Sequence, residues 1–181
     1  GADMVLACHT GLPTAFPQED ALFRPASSTF VPSRHEANVD GINILPGNDI
    51  FYLDCRLVPD VEHEAVLSEA RRIAAQVAAR HDVRISVEVE QRQDASRTSP
   101  DSPVVTALRE AVRPVYGVEA RPVGIGGVTV ASHLRQKALP AAVWACIANT
   151  CHQPDERASI NATCKDAQVF AHILMNENRH A

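Results

Sequence analysis

Residues 50 to 58 read Ile-Phe-Tyr-Leu-Asp-Cys-Arg-Leu-Val, and the β-branched and aromatic side chains of this stretch predict a strand. Side chains alternate between the two faces of a strand, which places Asp54 and Arg56 together on one face. Two-residue spacing favours a local ion pair between them, whereas the planar guanidinium also suits bidentate binding of a carboxylate. Both interpretations stay open. The opposite face is apolar and is expected to face a core; it carries Phe51, Leu53, Cys55 and Leu57.

The residues around this strand predict further elements of an α+β unit. Asp60 is a suitable amino-terminal cap for a helix that extends to about His81, with apolar residues at three- and four-residue spacing: Val66, Ala70, Ile73 and Val77. Residues 83–90 then alternate strictly between apolar and polar side chains, which predicts a strand with one solvent-exposed face. Before residue 46 the chain is rich in Pro, Ser, Asn and Asp, so short strands near residues 28–31 and 42–45 are expected between long loops.

The second half of the chain predicts alternating helices and short strands. A linker over residues 91–102 leads to a helix that begins at Pro103, with Ser102 as its cap, and ends at Gly117. The elements expected after it are a short strand near residues 121–124, a glycine loop, a helix to about Lys137, an apolar strand over residues 141–147 and a helix from about Thr163 to Asn178. The fold class predicted is therefore α/β, in two parts: residues 1–95 and residues 96–181.

The composition excludes several classes of protein. With 45% hydrophobic and 22% charged residues, the chain is typical of folded globular proteins. Its net charge of −5, without a stripe of basic residues, argues against nucleic acid as a partner. Apolar runs fall far short of the roughly 20 residues that span a bilayer, so no membrane partner is expected. The five cysteines lack paired spacing, which favours reduced thiols and a cytoplasmic location.

Three motifs between residues 126 and 156 carry the candidate chemistry: Gly126-Gly-Val-Thr-Val-Ala131, Leu139-Pro-Ala-Ala-Val143 and His152-Gln-Pro-Asp-Glu156. Two glycines before a helix let the backbone approach an anion, and Thr129 adds a hydroxyl donor. A plain tight turn is the competing interpretation of the glycine pair. A strand that ends just before His152 would place the imidazole at the carboxyl end of the strand. Open α/β sheets bind their ligands at the carboxyl ends of their strands.

His152 alone cannot complete a zinc site, which needs at least three protein ligands. The other seven histidines show no paired spacing with an intervening Glu that would supply them. A structural zinc knuckle is a further alternative, but it lacks a Cys-x-x-Cys pair. Its residues would be Cys146, Cys151, His152 and Cys164.

These motifs resemble those of the metal-dependent amidohydrolases that include acetylornithine deacetylase, succinyl-diaminopimelate desuccinylase, aminoacylase and carboxypeptidase G. That family has an Asn-x-x-Pro turn before a strand ending in Asp-x-Arg, and here Asn43 to Pro46 precedes Asp54 and Arg56. The three later motifs also match, except that Asp155 replaces the usual Asn. The resemblance covers nearly the whole chain. It implies a remnant of a lid or dimerisation domain, followed by the last α/β portion of a zinc-peptidase-like catalytic domain.

The resemblance also implies roles for individual residues. His152 would be a metal ligand, and Glu156 would support the loop around it. The residues that would bind the substrate carboxylate or line the oxyanion site are Asn43, Arg56, Thr129 and Gly127. A complete site would hold two Zn²⁺ ions, or Co²⁺ or Mn²⁺. The family's His-x-Asp motif, bridging Asp and Glu-Glu pair find no match, so no catalytic residue is assigned and the general base is expected upstream.

The expected function is that of the carboxy-terminal portion of a two-metal hydrolase that cleaves the amide bond of N-acyl amino acids or small peptides. A homodimer through the lid domain is expected, and the isolated chain is expected to be inactive. The alternative from another class is a non-catalytic carboxylate-binding or dimerisation module that has lost the metal centre. The residues do not specify the acyl group or the native metal.

Overall fold

The computed structural model describes residues 2–36, 38–148, 150–151 and 153–176, and the chain divides into two compact units. The first unit consists of residues 1–95 together with Val123–Gly127. The second consists of Ser96–Pro122 together with Val128–Ala181. The assignment of residues 1–95 and 96–181 to a lid domain and a catalytic domain stays a prediction.

The first unit contains two helices and two small sheets. Its elements are α1 (Ala2–Ala15), β1 (Phe23–Arg24), β2 (Thr29–His35), β3 (Phe51–Arg56), α2 (His63–His81) and β4 (Gly124–Ile125). β2 and β3 pair antiparallel with Thr29 opposite Arg56, which confirms the strands predicted near residues 28–31 and 50–58. β1 and β4 pair in parallel with Phe23 opposite Gly124. The second sheet therefore joins segments about one hundred residues apart.

The prediction of loops and short strands before residue 46 is wrong for α1, which is a helix of 14 residues. Met4, Cys8 and Leu12 recur every four residues and are only 5%, 2% and 0% exposed. Gly11 lets α1 approach α2, since a Cβ atom there would lie 3.1 Å from Cδ1 of Ile73. Packing against α2 therefore outweighs the low helix propensity of this glycine and of the proline inside α1.

The helical spacing predicted for α2 is confirmed, because Val66, Ala70 and Ile73 are buried. Its predicted cap is wrong: Glu62, not Asp60, occupies the cap position. One apolar cluster forms the core of this unit and joins α1, α2 and the strands β2 and β3. Its buried members are Met4, Cys8, Leu12, Phe30, Val58, Val61, Val66, Ile73 and Ala74.

Two further strand predictions in the first unit are wrong. Residues 42–45 form an exposed turn, in which Ile42 is 106% and Leu45 is 93% exposed. Only the middle of residues 83–90 keeps the predicted alternation: Ile85 and Val87 pack against the core and Ser86 between them is exposed, whereas Val83 and Val89 are 51% and 46% exposed. Within the described residues, however, this segment pairs with no other strand. Alternation specifies which side chains are buried, but a strand also needs a hydrogen-bonding neighbour.

The second unit is built around two packed helices. Its elements are α3 (Pro103–Tyr116), α4 (Ala131–Gln136) and α5 (Ile160–Asn176). α3 begins after Ser102 and ends at Gly117, whose φ is +68°, so both predicted ends are confirmed. Its core with α5 consists of Ala111, Val112 and Val169. No described helix combines the length and the apolar composition that a bilayer crossing requires.

The strand predicted over residues 141–147 is wrong, since no strand pairing involves it in the described part of the chain. Hydrogen bonds to the side chains of Thr98 and Asp166 hold this segment instead. The Thr98 hydroxyl accepts a hydrogen bond from the amide of Ala141 at 3.1 Å. The Asp166 carboxylate on α5 accepts hydrogen bonds from Trp144 Nε1 at 2.8 Å and from the amide of Cys146 at 3.0 Å.

We expect Gly124→Ala to destabilise the protein, because a Cβ atom there would lie 2.5 Å from Cδ1 of Phe23 on the neighbouring strand. Forcing an added methyl group into a packed contact costs about 1–3 kcal/mol. The measurement is the free energy of unfolding in urea. Gly47→Ala is the matched control, because a Cβ atom at Gly47 meets nothing within 4 Å. Equal stability of the two variants would contradict the close contact between β1 and β4.

We expect the stabilising effect of Asp166 to depend on pH. Burial alone would raise the pKa of this carboxyl group, but hydrogen bonds from Tyr116, Cys146 and Trp144 outweigh burial and lower the pKa from the ordinary 3.8. A lowered pKa in the folded state stabilises the fold above the unfolded pKa, and this contribution is lost as the pH falls through the folded-state pKa.

The variant that tests this is Asp166→Asn. It should be less stable than the wild type by about 1–3 kcal/mol at neutral pH, and the difference should narrow as the pH falls below 3.8. Urea unfolding at a series of pH values measures it. Asp40→Asn, in an exposed loop, removes the same charge and serves as control. A stability difference for Asp166→Asn that is constant across the pH range would contradict the role of the ionised carboxylate.

Candidate functional site

The Arg56 side chain lies at the end of β3 and is half exposed, with 54% of its surface accessible. Its Nε atom donates a hydrogen bond to Oδ2 of Asp54 at 2.9 Å. The local ion pair anticipated from the sequence is therefore present. Among the described residues, Nη1 and Nη2 of Arg56 have no hydrogen-bond partner. One side of the guanidinium is thus engaged, and its outer edge can bind a ligand.

The backbone of Gly126 lies directly beside Arg56. A Cβ atom at Gly126 would lie 3.2 Å from Cδ and 3.8 Å from Nη1 of Arg56. The parallel pair formed by β1 and β4 brings this glycine into the first unit. The glycine predicted to have a binding role is Gly127 rather than Gly126. The glycine pair in the sequence indicates that one of the two residues lies close to another group. Only a structure shows which of them lies next to Arg56.

The other predicted binding residues are placed as follows. Asn43 lies in an exposed turn, and within the described residues no hydrogen bond joins it to Arg56. Gly127 follows Gly126, and a Cβ atom there would come no closer than 4.0 Å to Ile125. Thr129 belongs to the second unit, where its carbonyl accepts hydrogen bonds from the amide and the hydroxyl of Ser132 at 2.9 and 2.7 Å.

The glycine pair does not lead directly into a helix, which differs from the prediction. Three residues separate Gly127 from α4, and α4 has only six residues. Such a short helix has a small dipole and aligns few free amide groups. The start of α4 therefore offers little of the anion-binding character expected from a glycine pair before a helix.

His152, the predicted metal ligand, lies outside the described residues. Glu156, predicted to support its loop, is exposed. Asp155 adopts a left-handed conformation with φ +61°. Asn and Asp are the non-glycine residues that tolerate this conformation best, so the replacement of Asn by Asp in the motif preserves the backbone requirement.

Comparison with known proteins identifies the family. The chain matches the model of peptidase family M20/M25/M40 over residues 1–176. The chain belongs to this family. The resemblance drawn from the sequence motifs is confirmed, and family membership implies a divalent metal ion.

Two curated relatives of this chain carry the description uncharacterized metallohydrolase. The protein from Methanococcus maripaludis is 32% identical over 166 residues, which cover 84% of this chain and 40% of the relative. The protein from Methanocaldococcus jannaschii is 29% identical over 175 residues, which cover 92% of this chain and 43% of the relative. The chain therefore spans less than half the length of these relatives.

A solved structure of an M20 family metallo-carboxypeptidase from Sulfolobus solfataricus shares the fold. Its TM-score is 0.60 at 19% sequence identity, and the match covers 85% of this chain and 36% of that one. Helices combined with small sheets, together with this likeness, confirm the predicted α/β class.

The described residues do not fit a metal site of their own. No three His, Cys, Asp or Glu side chains within them lie close enough together to hold an ion. Arg56 and its neighbours contribute a cation, an ion-paired carboxylate and a glycine backbone, which suit an anionic ligand rather than a metal ion.

We expect the 181-residue chain to retain less than about one Zn²⁺ per chain after zinc loading and desalting, because stable zinc sites need at least three protein ligands. Elemental analysis of the desalted protein measures the ratio. His152→Ala is the companion variant. Retention of about two ions per chain, with both lost in His152→Ala, would show that a complete site exists in this chain.

Proposed function

We propose that this chain is the carboxy-terminal portion of a two-metal hydrolase that cleaves the amide bond of N-acyl amino acids or small peptides. In this proposal the chain binds the free carboxylate of the substrate, while the general base and most metal ligands belong to the rest of the enzyme. The metal ions would be Zn²⁺, Co²⁺ or Mn²⁺. The isolated chain is then inactive, because it supplies substrate binding without the reacting groups.

The observation that supports this proposal is the arrangement of Arg56. Its Nη1 and Nη2 atoms form the fork that matches the two oxygens of a carboxylate, and they have no partner among the described residues. The Nε atom is already occupied by Asp54. A carboxylate that approaches the outer edge can therefore accept two parallel hydrogen bonds without breaking the existing ion pair.

Other predicted residues enter the proposal through the family resemblance. Asn43, Gly127 and Thr129 would complete the binding of the carboxylate or of the amide carbonyl, and His152 with Glu156 behind it would contribute to the metal centre. All five cysteines are free thiols, which supports the proposal of a reducing, cytoplasmic environment. A homodimer through the first unit belongs to the same proposal.

The second candidate function is a carboxylate-binding or dimerisation module without a metal centre. The lack of a metal-ligand cluster among the described residues is compatible with it. The two candidate functions differ in the residues expected in the coding region upstream of this chain. If the upstream coding region carries a His-x-Asp motif and a Glu-Glu pair, the hydrolase is favoured; if it lacks both, the module is favoured.

We expect N-acetylglycine to bind at Arg56 and N-acetylglycinamide, which lacks the carboxylate, to bind far more weakly. A titration followed by the NMR signals of the ligand measures the affinities of the wild type and of each variant, and ¹⁵N labelling at arginine shows whether the Arg56 resonances shift in the wild type. Arg56→Lys should weaken binding of N-acetylglycine about tenfold or more, because lysine cannot form the bidentate contact.

Arg113→Lys is the matched control. Arg113 is also exposed, and its Nε atom also pairs with a carboxylate, that of Glu119 at 3.2 Å. This variant should bind N-acetylglycine as the wild type does. Equal affinity for N-acetylglycine and N-acetylglycinamide, or equal loss in the two lysine variants, would contradict carboxylate binding at Arg56.

A further inference from the structure

The Asp54–Arg56 pair restricts the orientation of the guanidinium. A guanidinium has five N–H donors, one on Nε and two on each η nitrogen. The Nε donor is committed to Asp54 Oδ2 at 2.9 Å. Within the described residues, the Nη donors make no such bond. A carboxylate can bind arginine along the Nε side or end-on at the two η nitrogens, and Asp54 occupies the first of these positions.

Gly126 leaves open the space on a second side of the Arg56 side chain. The methylene carbon Cδ of Arg56 would lie 3.2 Å from a Cβ atom at Gly126, and Nη1 would lie 3.8 Å from it. The side chain of Arg56 therefore rests against bare backbone. Any larger residue at this position would contact the stem and the η nitrogen of Arg56, and would also occupy space next to the binding edge.

We propose that Asp54 is a positioning residue, and Gly126 a specificity-determining residue, for carboxylate binding by Arg56. Asp54 holds Nε, so that Arg56 presents only its two η nitrogens, end-on, to the carboxylate. Gly126 leaves the space that this approach requires. The inference rests on the proposed function in one respect: the ligand is the carboxylate of an N-acyl amino acid or peptide.

The stability of the fold does not account for the contacts between Asp54 and Arg56. Arg56 and Asp54 are 54% and 42% exposed, and exposed ion pairs contribute little to folding. Holding a flexible arginine in its binding orientation before the ligand arrives reduces the loss of side-chain freedom on binding. Asp54 therefore acts on ligand binding through Arg56, without contacting the ligand.

The test compares Asp54→Ala, Asp54→Asn and Gly126→Ala with the wild-type chain. The readouts are the ¹⁵N relaxation of Arg56 Nε and the shifts of Nε and Nη during titration with N-acetylglycine. In the wild type, Nε should be rigid and only the Nη resonances should shift. In Asp54→Ala, Nε should become mobile and shift with ligand, and binding should weaken about three- to tenfold.

Asp54→Asn separates hydrogen bonding from charge. Its amide oxygen can still accept the Nε–H bond, so rigidity and affinity should stay within about twofold of the wild type. Gly126→Ala should weaken binding, because its methyl group displaces the Arg56 stem and lies next to Nη1, whereas Gly47→Ala, in open space, should bind normally. Thermal unfolding of each variant verifies that it is folded.

The outcomes distinguish this inference from the proposed function. If N-acetylglycine binds Arg56 in the wild type but Asp54→Ala shows the same rigidity, shifts and affinity, the positioning role is overturned and the proposed function survives. If Gly126→Ala binds like the wild type, the specificity role of Gly126 is overturned. If N-acetylglycine leaves Arg56 unperturbed in the wild type, the proposed carboxylate binding fails, and the inference that rests on it fails too.

Discussion

The candidate site depends on two close approaches of the backbone to a side chain, at Gly124 to Phe23 and at Gly126 to Arg56. β1 and β4 pair over only two residues each, so few ladder hydrogen bonds hold them together. The contact between β1 and β4 requires that position 124 carry no side chain, because a Cβ atom there would overlap the Phe23 ring. Position 126, just after β4, likewise carries no side chain that would crowd the Arg56 stem. A segment distant in sequence thereby becomes part of the surface around the arginine.

The elements predicted correctly from the sequence are those specified by residues inside the element or at its ends. α2 shows apolar spacing, α3 has both Pro103 at its start and Gly117 at its end, and β3 begins with two aromatic residues. The predictions that failed concern strands whose stability depends on a partner. Residues 83–90 and 141–147 have the right composition, but no described strand pairs with either. The prediction for the α1 segment was wrong for the opposite reason: its sequence does not favour a helix, but packing outweighed the local effects of Gly11 and of the helix proline.

For the candidate site, the sequence left two interpretations of Arg56 open, an ion pair with Asp54 or a bond to a ligand carboxylate. The structure shows that they are not exclusive, because the ion pair uses Nε and leaves the η nitrogens. Residue spacing cannot reveal this, since it does not specify which nitrogen is engaged. Nor could it distinguish Gly126 from Gly127, because the difference lies in the path of the backbone past a side chain from another strand. Membership in the M20 family was predictable because it rests on several motifs together.

The ion pair also bears on which anions the site can select. A carboxylate two residues from the arginine cancels much of its charge, so an anion in solution experiences little net attraction at long range. Discrimination then depends on short-range geometry, namely two donors in one plane at a fixed spacing. A planar carboxylate satisfies both donors at once, whereas a small spherical anion such as chloride does not. In the proposed site, Asp54 would thus reduce affinity for anions in general while keeping the geometry that a carboxylate needs, which favours specific over indiscriminate anion binding.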